Sequence, residues 1–200
     1  MLIVTPEAVG RVAYGRMARD GVIRSVLPGR ALPADVIDAP PLRRTLLATL
    51  VPCGAQATGL AAAWAHGCGA LPTVLQVRTA AGRRVRSARL PLALEQHAVG
   101  LAHVDDGSPA RIAPLEVALV DALRWSGTAD ALTAVRAAVA SGATSLARLE
   151  AVVDETCRVR VPEGLSAAWS DVVRAIGAAP SLGGADAACA APKAARESAA

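Results

Sequence analysis

Arginine carries most of the chemistry this chain could perform. Arg83, Arg84, Arg86 and Arg89 follow the Ala80-Ala-Gly82 turn, Arg78 lies just before it, and no acid interrupts the run from Arg78 to Arg89. Guanidinium groups at that density could clamp phosphates, of DNA or of an RNA, through paired N–H donors; the alternative is a solvated loop of an Arg-rich protein. A second group, Arg16, Arg19, Arg24 and Arg30, spans an N-terminal helical pattern and the extended pieces after it. His103-Val-Asp105-Asp106 is the one constellation with metal-ligand character, since His103 and Asp105 would share a strand face. Two neighbouring ligands do not make a site, and a turn with solvated acids accounts for them as well. No catalytic or metal residue is therefore assigned.

The absences are equally informative. Twenty of the 21 basic residues are Arg, and the single Lys is Lys193 near the end of the chain. Schiff-base enzymes, P-loop ATPases and Lys-dependent nucleases accordingly have no candidate in the folded part. GxSxG, GxGxxG and HExxH patterns are missing as well. Cys53, Cys68, Cys157 and Cys189 are too far apart for a zinc signature, and no cofactor is implied. These features predict a non-enzymatic chain. The first residues are too short an apolar run for a signal peptide, which together with the cysteine pattern predicts a reduced, cytoplasmic protein.

Composition then constrains the elements that must position these arginines. Of the 53% hydrophobic residues 47 in number are alanine, and Phe is absent. That mix favours closely packed helices over a strand-rich sandwich. From Thr45 to Val77 there is no charged residue, but the stretch holds Pro52, Gly54, Gly59, Gly67 and Pro72, so it reads as a buried central segment and not a membrane span.

Along the chain, apolar spacing predicts a helix from Pro6 to Arg19, with Val9, Val12, Ala13 and Met17 on one side, ended by Asp20-Gly21. Val22–Leu27 and Arg30–Leu32 form a hairpin around Pro28-Gly29. Pro40-Pro41 opens a helix that Pro52 closes, and an Ala-rich helix runs from about Gln56 to His66. Strands are expected at Thr73–Arg78, Arg83–Arg89 and Val99–Val104, and helices at Pro114 onward, from Thr128, from Thr144 or Ser145, and near Ser166–Ile176. His66 is assigned a structural role at a helix end, and Trp64 and Trp125 are assigned to core or interface. The expected fold is mixed α/β and helix-rich: a truncated winged-helix-like segment over 1–37, an α/β domain with a small sheet and a C-terminal helical cluster over 38–178, and a disordered tail over 179–200.

The order of these pieces resembles the AbiEi-type antitoxins of type IV toxin–antitoxin systems. The likeness rests on Arg19-Asp-Gly-Val-Ile-Arg24 with Leu27-Pro-Gly-Arg-Ala-Leu-Pro-Ala-Asp-Val36, on Thr58-Gly-Leu-Ala-Ala-Ala-Trp-Ala-His-Gly67, on Gly82-Arg-Arg-Val-Arg86, and on Arg111-Ile-Ala-Pro-Leu-Glu-Val-Ala-Leu-Val-Asp-Ala-Leu123. The family's Pro-x-x-Thr motif reads Pro114-Leu-Glu-Val117 here, and few residues precede the helix where the family has the first helices of its winged helix. The resemblance implies an antitoxin and DNA-binding autorepressor, acting on promoter DNA through Arg16, Arg19, Arg24 and Arg30 and opposing a nucleotidyltransferase-like toxin or its RNA substrate. The other reading is a protein-interaction domain that has lost DNA binding; a degenerate nuclease-like enzyme comes last.

Overall fold

The computed structural model describes residues 3–71, 73–85, 92–99, 111–159 and 164–177. Its fold is mixed α/β and helix-rich. The expected helix over Pro6–Arg19 is instead two: α1 (Pro6–Val9) and α2 (Arg11–Arg19), hinged at Gly10. Thr5 caps α1, its hydroxyl accepting from the Ala8 amide at 3.2 Å, and Pro6 presets the first turn. Gly10 then adopts φ 83°, which a helix cannot continue through, and the Val9–Met17 periodicity is broken although the spacing suggested one face.

The hairpin forms as expected from β1 (Ile23–Leu27) and β2 (Arg30–Pro33), antiparallel, with a register shift between Ser25 and Leu27. Val4 adds a further bridge beside it, exchanging both backbone hydrogen bonds with Ala31 at 2.8 and 2.9 Å. The N-terminal piece thus reads extended residue, short helix, hinge, helix, hairpin.

Pro40 opens α3 (Pro40–Ala48), as its fixed φ favours. Gln56 and Ala57, expected inside the next helix, form strand β3 (Gln56–Ala57) instead, and α4 (Gly59–Ala65) begins only after Thr58. The reason is pairing: β3 lies antiparallel to β4 (Val74–Ala80), and Ala57 also bridges Ile112 on its other side. The strand after β4 is β5 (Ala93–Val99), parallel to it in the register Gln76↔Glu95 and Arg78↔His97. Residues 83–85, expected to be strand, are not in one, and residues 93–98 form a strand where none was expected; Val99, the one described residue of the strand expected over Val99–Val104, is strand. The rest of the expected strands, over Arg86–Arg89 and residues 100–104, lies outside the described residues, as does the expected tail.

Four more helices follow among the described residues: α5 (Leu115–Trp125), α6 (Thr128–Ala140), α7 (Leu146–Val159) and α8 (Leu165–Gly177). Leu119, Val135, Leu149, Leu165 and Val172 join them in one core. A second core unites Val26, Leu27 and Leu32 of the hairpin with Leu46, Leu47, Trp64, Leu75 and Val77. Packing therefore continues across the expected boundary at residue 37. Between the two cores runs α4, buried from Ala61 to Ala65. Its alanines contribute to both, because side chains that small let helices and strands approach it from every side. Among the described residues, no helix is long and apolar enough to cross a membrane.

Gly59, at the start of α4, has φ 59°, and a Cβ there would fall 1.9 Å from Oε1 of the buried Gln76. Gly59→Ala should cost about 2–4 kcal/mol, combining a left-handed backbone with loss of the hydrogen bonds that Oε1 accepts. Urea unfolding of the variant against wild type measures it, and a loss under about 1 kcal/mol would show that Gln76 can move aside freely.

Candidate functional site

The first expected group lies on α2 and the hairpin. Arg16 and Arg19 are exposed in the last turn of α2, where none of the side chains is buried, and Arg11 at the start of the helix joins them. Among the described residues Arg16 and Arg19 make no ion pair. The hairpin arginines are less available. Arg24 is exposed but donates Nη2 to the Val36 carbonyl at 3.2 Å. Arg30 is half-buried, donates Nη1 to the Gly29 carbonyl at 3.0 Å and lies 3.8 Å from Glu7. Those contacts hold the hairpin in shape, while α2 keeps its guanidinium groups in solvent.

The second group does not stay together. Arg78, expected beside the others on the surface, is 5% exposed and faces α5. The correction has a simple cause: β4 is buried on both faces, so strand alternation sends Arg78 inward with Gln76. Arg83 and Arg84 remain on the turn, the Arg83 guanidinium lying where a Cβ on Gly54 would stand. The Arg83 carbonyl is fixed by the Gln96 amide and by the Thr79 hydroxyl at 3.3 Å. Arg86 and Arg89 lie outside the described residues, as do His103, Asp105 and Asp106.

Where Arg78 points, the structure gathers a polar layer that composition did not reveal. Asp121, within the buried stretch of α5, accepts the Thr58 hydroxyl at 2.6 Å and Arg124 Nη1 at 3.4 Å, and Arg78 Nε lies 3.3 Å from its Oδ2. Because its hydroxyl is so engaged, Thr58 leaves the start of α4 uncapped by its own side chain. Gln76 of β4 does that work, its Oε1 accepting from the Leu60 amide at 3.3 Å and from the Ser126 hydroxyl at 3.2 Å. Gln76 Nε2 in turn donates to Glu95 at 2.9 Å, and Glu95 lies 3.3 Å from His97 Nε2. The His97 ring stacks on Trp125, centroids 3.8 Å apart, and the Arg124 guanidinium sits 4.6 Å from the same indole.

Burial sets the electrostatics here. It pushes the Asp121 carboxyl up against the pull of Arg78, Thr58 and Arg124, and it pulls Arg78 down against the opposing pull of Asp121. Burial likewise pulls His97 below the usual histidine value, with Glu95 acting the other way. Two signals could have exposed this layer: the polar pairs 76/78 and 95/97 at strand spacing, and an acid at position 121 between Val120 and Ala122 of α5.

The remaining candidates have structural places. His66 Nε2 is 2.9 Å from the Ala113 carbonyl, tying the end of α4 to the segment before α5. Trp64 is buried, with Arg43 5.2 Å from its ring, and Arg43 also pairs with Asp38 at 2.8 Å. Trp125 is half-buried in the polar layer. Val117, in the position of the family motif's Thr, lines a cavity beside Arg78. Among the described residues, no group of three or more His, Cys, Asp or Glu could hold a metal.

Asp121→Ala should destabilise the fold by about 3–5 kcal/mol, since it leaves Arg78 buried without its counter-ion, whereas Arg78→Met combined with Asp121→Leu should cost less than the single change. Denaturant titration of the three proteins decides; a double variant worse than Asp121→Ala would contradict the pairing. His97 gives a pH dependence. Its folded-state value lies below the unfolded 6.5, so the unfolded chain binds the extra proton first and stability falls as pH drops through the window below 6.5. Thermal melts between pH 7.5 and 5 should show a steeper acid-side loss for wild type than for His97→Gln; parallel curves would show that His97 is not the group responsible.

No protein-family model and no curated protein matches the chain. Among solved structures, the crystal structure of RV2827C protein from Mycobacterium tuberculosis is similar at 19% identity and a TM-score of 0.43, covering 88% of this chain and 73% of that one.

Proposed function

We propose that this chain is a non-enzymatic, DNA-binding antitoxin of the AbiEi type, which represses its own promoter and opposes a nucleotidyltransferase-like toxin. The observation that carries the DNA-binding part is α2: a helix with no buried side chain, bearing Arg11, Arg16 and Arg19, set off from α1 by the Gly10 hinge and followed at once by the β1–β2 hairpin. Short helix, turn, exposed basic helix and wing is the order in which a winged helix presents its recognition helix to the major groove. The Val4–Ala31 bridge adds one residue of antiparallel pairing beside that hairpin.

In this reading α2 lies in the groove, Arg16 and Arg19 meet bases or phosphates, and Arg24 and Arg30 flank the backbone from the hairpin. Arg83 and Arg84, on the turn after β4, supply a second basic contact for nucleic acid or for the toxin with its RNA. Binding to promoter DNA places the chain in the cytoplasm. The antitoxin role itself comes from the family resemblance.

One observation favours the interaction-domain reading. Val12, on the same helix as the arginines, is 85% exposed, and Val9 is exposed beside the hinge. Apolar groups so placed suit a protein partner better than a phosphate. Co-expression with a nucleotidyltransferase-type toxin distinguishes the readings: Val12→Ser, which removes the apolar group without adding charge, should leave rescue and promoter binding intact if α2 serves DNA, and weaken rescue if α2 serves a protein.

For DNA binding, Arg16→Ala with Arg19→Ala should weaken binding to the promoter fragment by about 10-fold or more, and if both contact phosphates it should lower the slope of log affinity against log salt by about 2. Electrophoretic shifts from 50 to 200 mM salt measure both quantities. Unchanged affinity would remove α2 from the interface, and failure of the wild type both to shift the fragment and to rescue growth would overturn the antitoxin reading.

A further inference from the structure

The groove between the end of α1 and α2 has a lining that contact with DNA alone does not explain. It spans about 530 Å³, with Val9, Val12, Ala13 and Met17 as its apolar side chains and Arg11 and Arg16 as its charged ones. No acid lines it. Val12 is 85% exposed, and Arg16 and Arg19, four and seven residues further on, share its side of the helix. Gly10 lines the groove too, and a Cβ there would meet nothing within 4 Å, so the hinge leaves it open.

The charge around it is one-sided. Glu7 of α1 lies 3.8 Å from Arg30 and also feels Arg11, whereas Arg16 and Arg19 make no ion pair among the described residues. A ligand that fits this surface therefore brings negative charge and hydrocarbon together. A phosphate backbone would meet the guanidinium groups and leave the valines in water. A neutral apolar body would do the reverse. Carboxylates placed beside a large apolar side chain satisfy both, and arginine with methionine around an apolar centre is the composition that protein interfaces favour.

We propose that the α1–α2 groove docks an acidic amphipathic segment of a partner protein, its apolar side chains seated against Val9, Val12 and Met17 and its carboxylates meeting Arg11 and Arg16. The proposal deepens the protein-interaction reading of Val12 and rests on it. Because Arg16 belongs to this groove and also to the face offered to DNA, the two ligands exclude each other at α2.

A fluorescein-labelled helical peptide of about 16 residues tests it, with leucines at i, i+3, i+4 and i+7 and glutamates on either side. One control carries serine for every leucine at the same charge, and another carries lysine for every glutamate. Anisotropy titrations with the full chain at about 150 mM salt should show the leucine peptide binding about 5-fold or more tighter than the serine peptide, and the lysine peptide not binding. Val12→Ser, at a position the core does not use, should weaken the leucine peptide by about 3–10-fold and leave the serine peptide and the promoter shift unchanged. Arg11→Ala with Arg16→Ala should weaken both acidic peptides. Excess leucine peptide should displace the promoter fragment.

Equal binding of the leucine and serine peptides, wild-type affinity for the leucine peptide in Val12→Ser, or a complex holding peptide and DNA together would each overturn the proposal. Self-association of the wild type that Val12→Ser abolishes in sedimentation, or binding to phosphatidylglycerol vesicles that the same variant loses, would give the groove to a second copy or to a lipid surface and overturn it as well. A promoter shift without binding of the leucine peptide ends this proposal and keeps the DNA reading. Binding of the leucine peptide that Val12→Ser weakens, with no promoter shift by the wild type, does the opposite.

Discussion

Everything between the sheet and the C-terminal helices is organised around one buried carboxylate. Asp121 draws donors from three elements: Thr58 at the entry to α4, Arg78 from β4, and Arg124 from its own helix. The gross attraction of such a pair is about 4 kcal/mol at an intermediate effective dielectric, and the cost of taking each ion out of water is of the same size. Net stabilisation is therefore small, and the cluster matters chiefly for what it selects. Slipping β4 by one residue would turn Arg78 to the other face and leave Asp121 without it, whereas slips among the many apolar side chains of this fold would cost far less. The consequences propagate. With Thr58 committed to Asp121, the first amides of α4 need another acceptor; Gln76 reaches across to supply it, and the space it occupies leaves room only for glycine at position 59.

Much of the scaffold was legible in the sequence because it depends on local rules. Pro40 opening a helix, Pro28-Gly29 turning a hairpin, and the leucines of α5 spaced for a buried face all follow from dihedral limits and periodicity. The charge-free stretch around α4 was legible for the same reason, since a segment lacking ionic groups has little to lose by burial on all sides. What failed were the inferences that require a partner. Gln56 and Ala57 have no local feature that marks them as strand; they become one because β4 and Ile112 lie on either side. Parallel pairing of β4 with β5 is likewise set at a distance, and a turn sequence at Ala80–Gly82 argued locally for the opposite.

The polar layer escaped notice for a related reason. A single-face reading of α5 puts Leu115, Ala118, Leu119, Ala122 and Leu123 inside and Asp121 outside, but the helix is packed by α4, α6, α7 and α8, and Arg78 of β4 reaches Asp121, so Val120 and Asp121 are buried too. Arg78 was grouped with Arg83 and Arg84 by proximity along the chain. Proximity along a strand says little when alternate residues face opposite ways and both ways are buried. At Gly10 the error ran the other way: an apolar period continued through a residue whose positive φ redirects the chain, and Val12 ends in solvent.

β4 explains how the exposed helix α2 is held in place. One face of the strand, Leu75 and Val77, packs in the same core as Val26, Leu27 and Leu32 of the hairpin, while the other face, Gln76 and Arg78, is locked into the layer with α5. The hairpin is therefore anchored in the main core. Because β1 follows α2 directly and Val4 is bonded to β2 ahead of α1, both ends of the α1–α2 pair are tied to that anchored hairpin. A helix so tethered needs no buried face of its own to keep its place, which leaves its arginines the solvent exposure that contact with a polyanion requires.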